Sequence, residues 1–261
     1  MKTPKLGQHF LTDPDVVKKI VGASEISDKD TVLEIGPGKG MLTKALVETG
    51  AQIFAIEKDG ELHHYLKKKF KDTANLVLVH GDVRDFHFSK LPDNFKVAAN
   101  IPYYLTGQLI QKLLSADSRP SLMVLMLQKE VAERLIAPKG DTNLLHLTTK
   151  VFADTSIITI VPRENFDPPP KVDSAVVKFK VRSKPLLPKQ EQIIFFRLLK
   201  FAFAGKRKKI TNTLSAALRI QKEDLSKILS SLGFDDNTRP QELDLSEWLD
   251  LYRKIAAFLA K

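Results

Sequence analysis

The feature of the sequence that most restricts its fold is a regular alternation of short apolar runs and longer amphipathic stretches, which begins at Thr31. Strands separated by helical patterns of about 10–15 residues are typical of βαβ units, which build a parallel sheet. Because the runs are almost continuously apolar, we expect this sheet to be covered on both faces. The predicted strands span residues 31–36, 51–57, 75–80, 97–100 and 121–127, and predicted helices span residues 41–48 and 60–70.

Two further β-rich runs, residues 155–161 and 175–181, have only the proline-rich turn FDPPPK between them. They predict an antiparallel pair at the edge of the sheet. Beyond a proline-containing linker at residues 183–189 the periodicity becomes helical. The predicted helices in this part span residues 193–203, 210–218, 222–230 and 246–259.

The order of these elements predicts an α/β fold with two domains. Residues 1–183 are expected to form a Rossmann-like, doubly wound domain whose sheet is mostly parallel, with the antiparallel pair at one edge. Residues 184–261 are expected to form a small C-terminal domain that is entirely helical.

The composition is basic, with 41 Lys and Arg against 31 Asp and Glu and a formal net charge of +10. This balance favours a polyanionic partner, either nucleic acid or an anionic membrane. The absence of cysteine excludes disulfides and thiolate metal sites, and we predict no metal. No signal-peptide pattern and no run of about 18 apolar residues occurs, so we expect a cytoplasmic protein. No association stripe is visible, and a monomer is expected.

A glycine-rich turn follows the first predicted strand, with Gly36, Gly38 and Gly40 in EIGPGKG. Glycine lets the backbone pass close beneath a ligand, and in a doubly wound sheet this turn lies where ligands bind. Glu57 ends the second strand, at close to the roughly 20 positions after the loop expected of an acid that binds ribose hydroxyls. Asp82 follows the third strand, where its carboxylate can accept a hydrogen bond from an adenine amino group.

Each of these residues also has a purely structural interpretation. The glycines can form a tight turn, Glu57 can be a helix cap or a solvated charge, and Asp82 can form an Asx turn. Their combination favours a nucleoside ligand. The G-x-G-x-G spacing differs from the G-x-G-x-x-G of dinucleotide binders, and no P-loop is present, so an NAD site is the second choice and an NTPase is disfavoured. Strand ends that supply Gly, Glu and Asp form the pattern of class I methyltransferases, so S-adenosyl-L-methionine is the predicted cofactor.

The fourth predicted strand ends at Asn100, and Ile-Pro-Tyr-Tyr follows. The amino nitrogen of adenine is a poor nucleophile because its lone pair is delocalised into the ring. Two hydrogen-bond acceptors draw this nitrogen toward tetrahedral geometry; the Asn100 carbonyl and a backbone carbonyl at or next to Pro102 can serve, while Tyr103 stacks on the purine. Such a site works through orientation and fixed dipoles. The tetrad matches the [D/N/S]-x-x-[Y/F] signature of amino-methyltransferases; the alternative is a β-turn with aromatic packing.

Five runs in order carry a resemblance to a known family. They are KLGQHFL (5–11), LEIGPGKGMLT (33–43), the pair Gly81-Asp82, NIPYY (100–104) and FDPPPKVDSAVV (166–177). Together they resemble the KsgA/RsmA family of small-subunit ribosomal RNA adenine dimethyltransferases, over nearly the whole chain. The resemblance implies transfer of two methyl groups to N6 of each of two adjacent adenosines, in a hairpin near the 3′ end of 16S rRNA in an immature small subunit.

The resemblance also implies roles for individual residues. The N-terminal GQHFL segment is expected to fold over the cofactor. Phe166, a core residue by sequence alone, is expected to stack on an extruded adenine opposite Tyr103. The expected cofactor-binding residues are Gln8, His9, Leu11, Gly36, Gly38, Gly40, Glu57, Lys58, Asp82, Val83 and Asn100, and the expected catalytic residues are Asn100, Pro102, Tyr103 and Phe166.

A basic segment in the helical part is the predicted RNA contact. Between residues 184 and 219 there are nine Lys or Arg and one acid, and the densest piece holds Lys206, Arg207, Lys208 and Lys209. Such a run is either a solvated face or a phosphate-binding surface, and we favour the second. Contacts to phosphates position an RNA without reading its sequence.

Two alternatives stay open on sequence alone. One is a 23S rRNA adenine methyltransferase of the erythromycin-resistance type, which shares every catalytic motif. The other is a non-catalytic ribosome-assembly or transcription factor, which the intact glycine, acid and NIPY motifs disfavour.

Overall fold

The computed structural model describes residues 9–205 and 207–259, except for the side chain of Tyr104. Its strands are β1 (Phe10–Leu11), β2 (Thr31–Ile35), β3 (Gln52–Glu57), β4 (Leu76–His80), β5 (Lys96–Asn100), β6 (Leu122–Gln128), β7 (Ala153–Val161), β8 (Phe166–Asp167) and β9 (Ser174–Val181). Its helices are α1 (Pro14–Ala23), α2 (Met41–Val47), α3 (Gly60–Lys69), α4 (Thr106–Ser115), α5 (Lys129–Leu135), α6 (Leu144–Lys150), α7 (Lys189–Phe203), α8 (Ile210–Leu218), α9 (Lys222–Ser230) and α10 (Leu245–Leu259). Each strand and helix predicted from the sequence is present, with bounds that differ by a few residues at most.

Seven strands form one sheet in the order β4-β3-β2-β5-β6-β9-β7. The five strands from β4 to β6 are parallel, whereas β9 pairs antiparallel with both β6 and β7. The prediction of a mostly parallel sheet with an antiparallel edge pair is therefore confirmed. In the interior strand β6, six of the seven residues are buried, as expected for a strand with helices on both faces.

The strand order reverses direction beside β2, and this reversal places the ligand site. From β2 the chain runs outward through β3 to β4, and it then returns to the other side of β2 as β5. Parallel pairing joins Val32 to Lys96 and Leu33 to Val97 across this switch. Ligands of doubly wound sheets bind in the crevice outside the carboxyl ends of the strands at such a point.

Four helices, α1, α4, α5 and α6, were not predicted. α1 begins at Pro14 after the N-cap Asp13, whose side chain accepts a hydrogen bond from the Asp15 N–H at 2.8 Å. α4 buries Leu109, Ile110, Leu113 and Leu114, a spacing typical of an amphipathic helix. In both helices, therefore, the signal was present in the sequence.

A short second sheet ties the N-terminal segment to the turn before β9. β1 pairs antiparallel with β8, with Phe10 opposite Asp167 and Leu11 opposite Phe166. The Thr12 N–H and hydroxyl both donate to the carbonyl of Asn165, at 2.8 and 2.9 Å. This pairing holds β1 across the carboxyl end of the large sheet.

The chain divides into two compact units. The first contains the residues up to Glu133 and Ala153–Ser183, and the second contains Arg134–Phe152 with the residues from Lys184 onward. The break after Ser183 coincides with the predicted boundary, but residues 134–152 were assigned to the first domain and lie in the second unit. The Thr142 hydroxyl explains this difference, because it donates to the carbonyls of residues 241 and 243 at 3.0 and 2.9 Å.

The second unit has a core of its own. Trp248 is fully buried, and its indole N–H donates to the Pro240 carbonyl at 3.3 Å. Phe195 packs edge-on against Tyr252, with ring centroids 5.5 Å apart. Among the described helices, none is long and apolar enough to cross a bilayer.

Candidate active site

A cavity of about 320 Å³ lies at the carboxyl ends of β2, β3 and β5, next to the turn that follows β4, and β1 also lines it. Most of the predicted site residues meet there. Those that line the cavity are His9, Leu11, Gly36, Gly38, Glu57, Lys58, Asp82, Val83, Asn100, Pro102 and Tyr103. Gln8 and Lys206 lie outside the described residues.

Two glycines of the loop between β2 and α2 have different surroundings. Gly38 has φ +58°, and a Cβ there would lie 3.1 Å from the Phe10 ring on the cavity wall. Gly40, with φ +76°, does not line the cavity; its Cβ would lie 2.7 Å from the Phe70 ring and 2.8 Å from Leu66. Gly40 is thus a packing position between the loop and α3, and its contact with the cofactor stays a prediction.

Glu57 connects the end of β3 to the glycine loop. Its side chain is buried, Oε2 accepts a hydrogen bond from the Gly38 N–H at 3.1 Å, and Oε1 accepts one from the Asp59 N–H at 2.9 Å. An ionised carboxylate offers about four acceptor positions. Two of them remain for hydroxyl groups of a ligand in the cavity.

Asp82 is surrounded by positive charge. Its Oδ2 lies 2.6 Å from Arg84 Nη2 and 3.1 Å from Lys58 Nζ, and its Oδ1 accepts from the Arg84 N–H at 2.9 Å. The hydrogen bonds from Arg84 hold the pKa of the Asp82 carboxyl well below its usual range, against the opposing effect of burial. The residue is therefore a carboxylate. Its Arg84 partner was not predicted, and no motif or spacing in the sequence indicated it.

The NIPY turn projects into the cavity from the end of β5. The side-chain amide of Asn100 donates to the backbone carbonyl of His9 at 3.5 Å, a weak contact. The Tyr103 hydroxyl is 2.8 Å from Ser174 Oγ, and its ring lies 6.1 Å from the His9 ring at an angle of 27°. His9 Nδ1 is in turn 2.7 Å from the Pro168 carbonyl. β1 and the NIPY turn thus form adjacent walls of one site.

Phe166 lies behind the wall of this cavity rather than on it. Its side chain is only 3% exposed, belongs to the apolar cluster around Ile20 and Val176, and does not line the cavity. Pairing of β8 with β1 holds this ring in the core, and the stacking role of Phe166 stays a prediction. His9 is the ring that lies beside Tyr103.

Glu34 is a cavity residue for which no role was predicted. It is 1% exposed, and its Oε2 has no hydrogen-bond partner in the described chain. Burial raises the pKa of the Glu34 carboxyl to about 8; nearby Thr43 opposes this shift and the charge of Glu57 adds to it. The sequence feature that could have identified Glu34 is an acidic residue inside the otherwise apolar run TVLEI.

The described cations of the predicted RNA-binding segment lie in the second unit. Arg207, Lys208 and Lys209 are exposed in the turn between α7 and α8, directly before the first residue of α8. A helix N-terminus adds positive potential to these charges.

The doubly wound sheet, the glycine loop at its switch point and the acidic and amide side chains at its strand ends define a Rossmann-like methyltransferase. The chain matches the model of a family described as ribosomal RNA adenine dimethylase over residues 1–257. It belongs to that family.

Relatives of similar length support this membership. The chain is 38% identical to the ribosomal RNA small subunit methyltransferase A of Clostridium botulinum, over 93% of this chain and 90% of the relative. It is 35% identical to the protein of the same name from Dehalococcoides mccartyi, over 93% and 84%.

Two solved structures share the fold over almost their full lengths. A dimethyladenosine transferase from Plasmodium falciparum has a TM-score of 0.81 and 29% identity, over 95% of this chain and 98% of that one. The 23S rRNA methyltransferase ErmE has a TM-score of 0.78 and 25% identity, over 95% and 99%.

Proposed function

We propose that this protein is an S-adenosylmethionine-dependent 16S rRNA adenine-N6,N6-dimethyltransferase. It acts as a monomer in the cytoplasm on two adjacent adenosines in a hairpin near the 3′ end of 16S rRNA, within an immature small subunit. The observation that carries the proposal is that Asn100, Pro102 and Tyr103 share one cavity with the glycine loop and Glu57. The small-subunit names of the relatives favour 16S over 23S rRNA.

The residues of the cavity suit S-adenosylmethionine. Glu57 retains acceptor positions for the ribose hydroxyls. The Asp82 carboxylate lines the same cavity and can accept from the adenine amino group once one of its present partners is displaced. Glu34 provides a buried carboxyl oxygen without a partner in the described chain, which suits the ammonium of the amino-acid end. Pockets of about 300–1,000 Å³ are typical of small-molecule sites, and this cavity falls in that range. The donor supplies an electrophilic methyl group on a sulfonium.

The remaining contacts with S-adenosylmethionine come from residues at the edges of the cavity. His9 and Leu11 cover the site, and Val83 provides an apolar wall beside Asp82. Lys58 contributes a partly exposed cation next to Asp82. Gln8 completes the predicted set from the segment before β1.

Asn100 and its neighbours act on the target base. The Asn100 amide carbonyl and a backbone carbonyl next to Pro102 accept the two N–H groups of the adenine amino group, which directs its lone pair toward the methyl carbon. Tyr103 stacks on the extruded base, and its hydrogen bond to Ser174 restrains the ring. Most of the rate enhancement comes from this orientation.

The basic turn before α8 binds the RNA backbone. Arg207, Lys208 and Lys209, together with Lys206, neutralise phosphates without reading sequence. Specificity arises from RNA shape and from which adenines can be extruded.

Mass spectrometry of rRNA tests the substrate assignment. Unmethylated small subunits and large subunits are each incubated with the protein and S-adenosylmethionine, and modified nucleosides are mapped by fragment. We expect N6,N6-dimethyladenosine at two adjacent positions of 16S rRNA alone. Methylation confined to 23S rRNA would show that the protein is a 23S rRNA adenine methyltransferase of the erythromycin-resistance type. Failure to bind S-adenosylmethionine in a calorimetric titration would favour a non-catalytic assembly factor.

A further inference from the structure

Asp82 already accepts as many hydrogen bonds as a carboxylate can. Oδ1 accepts from the Arg84 backbone N–H at 2.9 Å and from Nε at 3.1 Å. Oδ2 accepts from Nε at 3.1 Å and from Nη2 at 2.6 Å, and Lys58 Nζ lies 3.1 Å away. A carboxylate has about four lone-pair positions, so an adenine amino group must displace one of these donors.

The guanidinium of Arg84 is the donor that can leave. The Asp82 side chain is only 11% exposed and is held by the Arg84 backbone N–H, whereas the Arg84 side chain is 50% exposed. Rotation of the guanidinium into water exposes one edge of the carboxylate and leaves the backbone hydrogen bond intact. Lys58, at 60% exposure, stays close enough to balance the charge.

We propose that Arg84 competes with the adenine of S-adenosylmethionine for the Asp82 carboxylate. Arg84 thereby lowers the affinity of this chain for S-adenosylmethionine. The proposal rests on the proposed function, since it takes the cavity to be the donor site. In the unliganded protein the Arg84 fork neutralises a largely buried charge, which would otherwise be costly. When S-adenosylmethionine binds, Asp82 exchanges the charge-assisted, bidentate contact with Arg84 for a hydrogen bond from the neutral adenine amino group.

Two consequences are specific to competition. Removal of the guanidinium strengthens donor binding, whereas removal of a side chain that itself binds the donor would weaken it. Salt screens the attraction between Arg84 and Asp82, so higher ionic strength raises the affinity of the unaltered protein. The affinity of a variant without the guanidinium changes less with salt.

The test is calorimetric titration of Arg84→Met and Arg84→Lys with S-adenosylhomocysteine and with 5′-methylthioadenosine, which lacks the amino-acid end. We expect Arg84→Met to bind both ligands about three- to tenfold more tightly, the range that corresponds to a partly exposed ion pair with bidentate geometry. Arg84→Lys, which cannot form the fork, is expected to fall between Arg84→Met and the unaltered protein.

Arg182→Met is the matched control. Arg182 also forms a bidentate ion pair, through Nη1 and Nη2 with Asp154 at 2.7 and 2.8 Å, and neither residue lines the cavity. Its affinity for both ligands is expected to equal that of the unaltered protein.

The outcomes separate the two proposals. If the unaltered protein binds neither ligand, the proposed function fails and this inference fails with it. If both ligands bind but Arg84→Met binds them equally or more weakly, only the inference is overturned. If the gain in Arg84→Met persists when Asp82 is also changed to Ala, the competition does not act through Asp82 and the inference is overturned as well.

Discussion

Glu34 gives the unliganded protein a pH dependence that can be traced to one residue. Its native pKa of about 8 exceeds the ordinary 4.5, so between these values the folded state binds more protons than the unfolded state. The free energy of unfolding therefore falls as pH rises through that window and levels off above it. The contribution is a few kcal/mol, on the order of 1.4 kcal/mol per pKa unit.

Glu34→Gln removes this dependence. We expect thermal unfolding scans to show that the variant gains several degrees in Tm relative to the unaltered protein between pH 6 and pH 8.5, since about 1 kcal/mol corresponds to roughly 2–4 °C at this size. The exposed Glu61→Gln serves as the control and is expected to track the unaltered protein. Parallel pH profiles for Glu34→Gln and the unaltered protein would show that Glu34 does not hold its proton.

Single residues also show how far sequence could predict the site. Glu57, Asp82 and Asn100 could be predicted because each ends or follows a strand, and strand ends converge at one edge of a parallel sheet. The core position of Phe166 agrees with its interpretation from sequence alone. The pairing of β8 with β1 that holds it there could not be predicted, because it links residues distant in the chain. The fork of Arg84 on Asp82 depends on a side-chain rotamer that no spacing rule specifies.

At the scale of elements, the loop between β2 and α2 is expected to respond differently to substitution at its glycines. A Cβ at Gly40 collides with Phe70 and Leu66 at a positive φ, so Gly40→Ala should lower stability by about 1–3 kcal/mol while donor affinity changes little. A Cβ at Gly38 meets Phe10 on the cavity wall, so Gly38→Ala should weaken donor binding.

Denaturant unfolding and calorimetric titration with S-adenosylhomocysteine check both variants. Gly22→Ala is the control, because a Cβ there meets nothing within 4 Å and the residue lies inside α1. Reduced donor affinity in Gly40→Ala at full stability would contradict the packing role of Gly40.

The elements themselves were largely predictable because their signal is local. Alternating apolar runs and helix-length amphipathic stretches give β2 to β6 and α7 to α10 with nearly correct bounds. The two-residue strands β1 and β8 could not be predicted, because a run of two residues has no periodicity. They exist only through their pairing with each other.

At the scale of the whole molecule, the basic turn of the second unit is expected to control RNA affinity. Replacement of Arg207, Lys208 and Lys209 by Gln should weaken binding to unmethylated small subunits. It should also lower the slope of log K against log salt, by up to about 0.7–0.9 for each phosphate that the variant no longer neutralises. The rate at saturating subunits should change little.

Filter-binding titrations across a salt series check this expectation. A variant with Lys222, Lys227 and Lys254 changed to Gln removes three cations from α9 and α10 of the same unit and is the control for net charge. An equal fall in affinity in the two variants would show that the effect is one of overall charge.

The division into two units shows how far domain boundaries could be predicted from the sequence. The linker after Ser183 was visible in its prolines, but the inclusion of residues 134–152 in the second unit was not. That inclusion depends on contacts such as those of the Thr142 hydroxyl with residues 241 and 243, about 100 positions away in the chain. Long-range contacts of this kind leave no local pattern.

The measurement that tests the proposed mechanism most directly is single-turnover methyl transfer to unmethylated small subunits by Asn100→Ala, paired with donor titration of the same variant. We predict that the transfer rate falls by at least about 100-fold, since the amide orients the amino group, while affinity for S-adenosylhomocysteine changes by less than about fivefold. Asn237→Ala, an exposed amide in the second unit, should match the unaltered protein in both assays. A transfer rate in Asn100→Ala equal to that of the unaltered protein would contradict the mechanism.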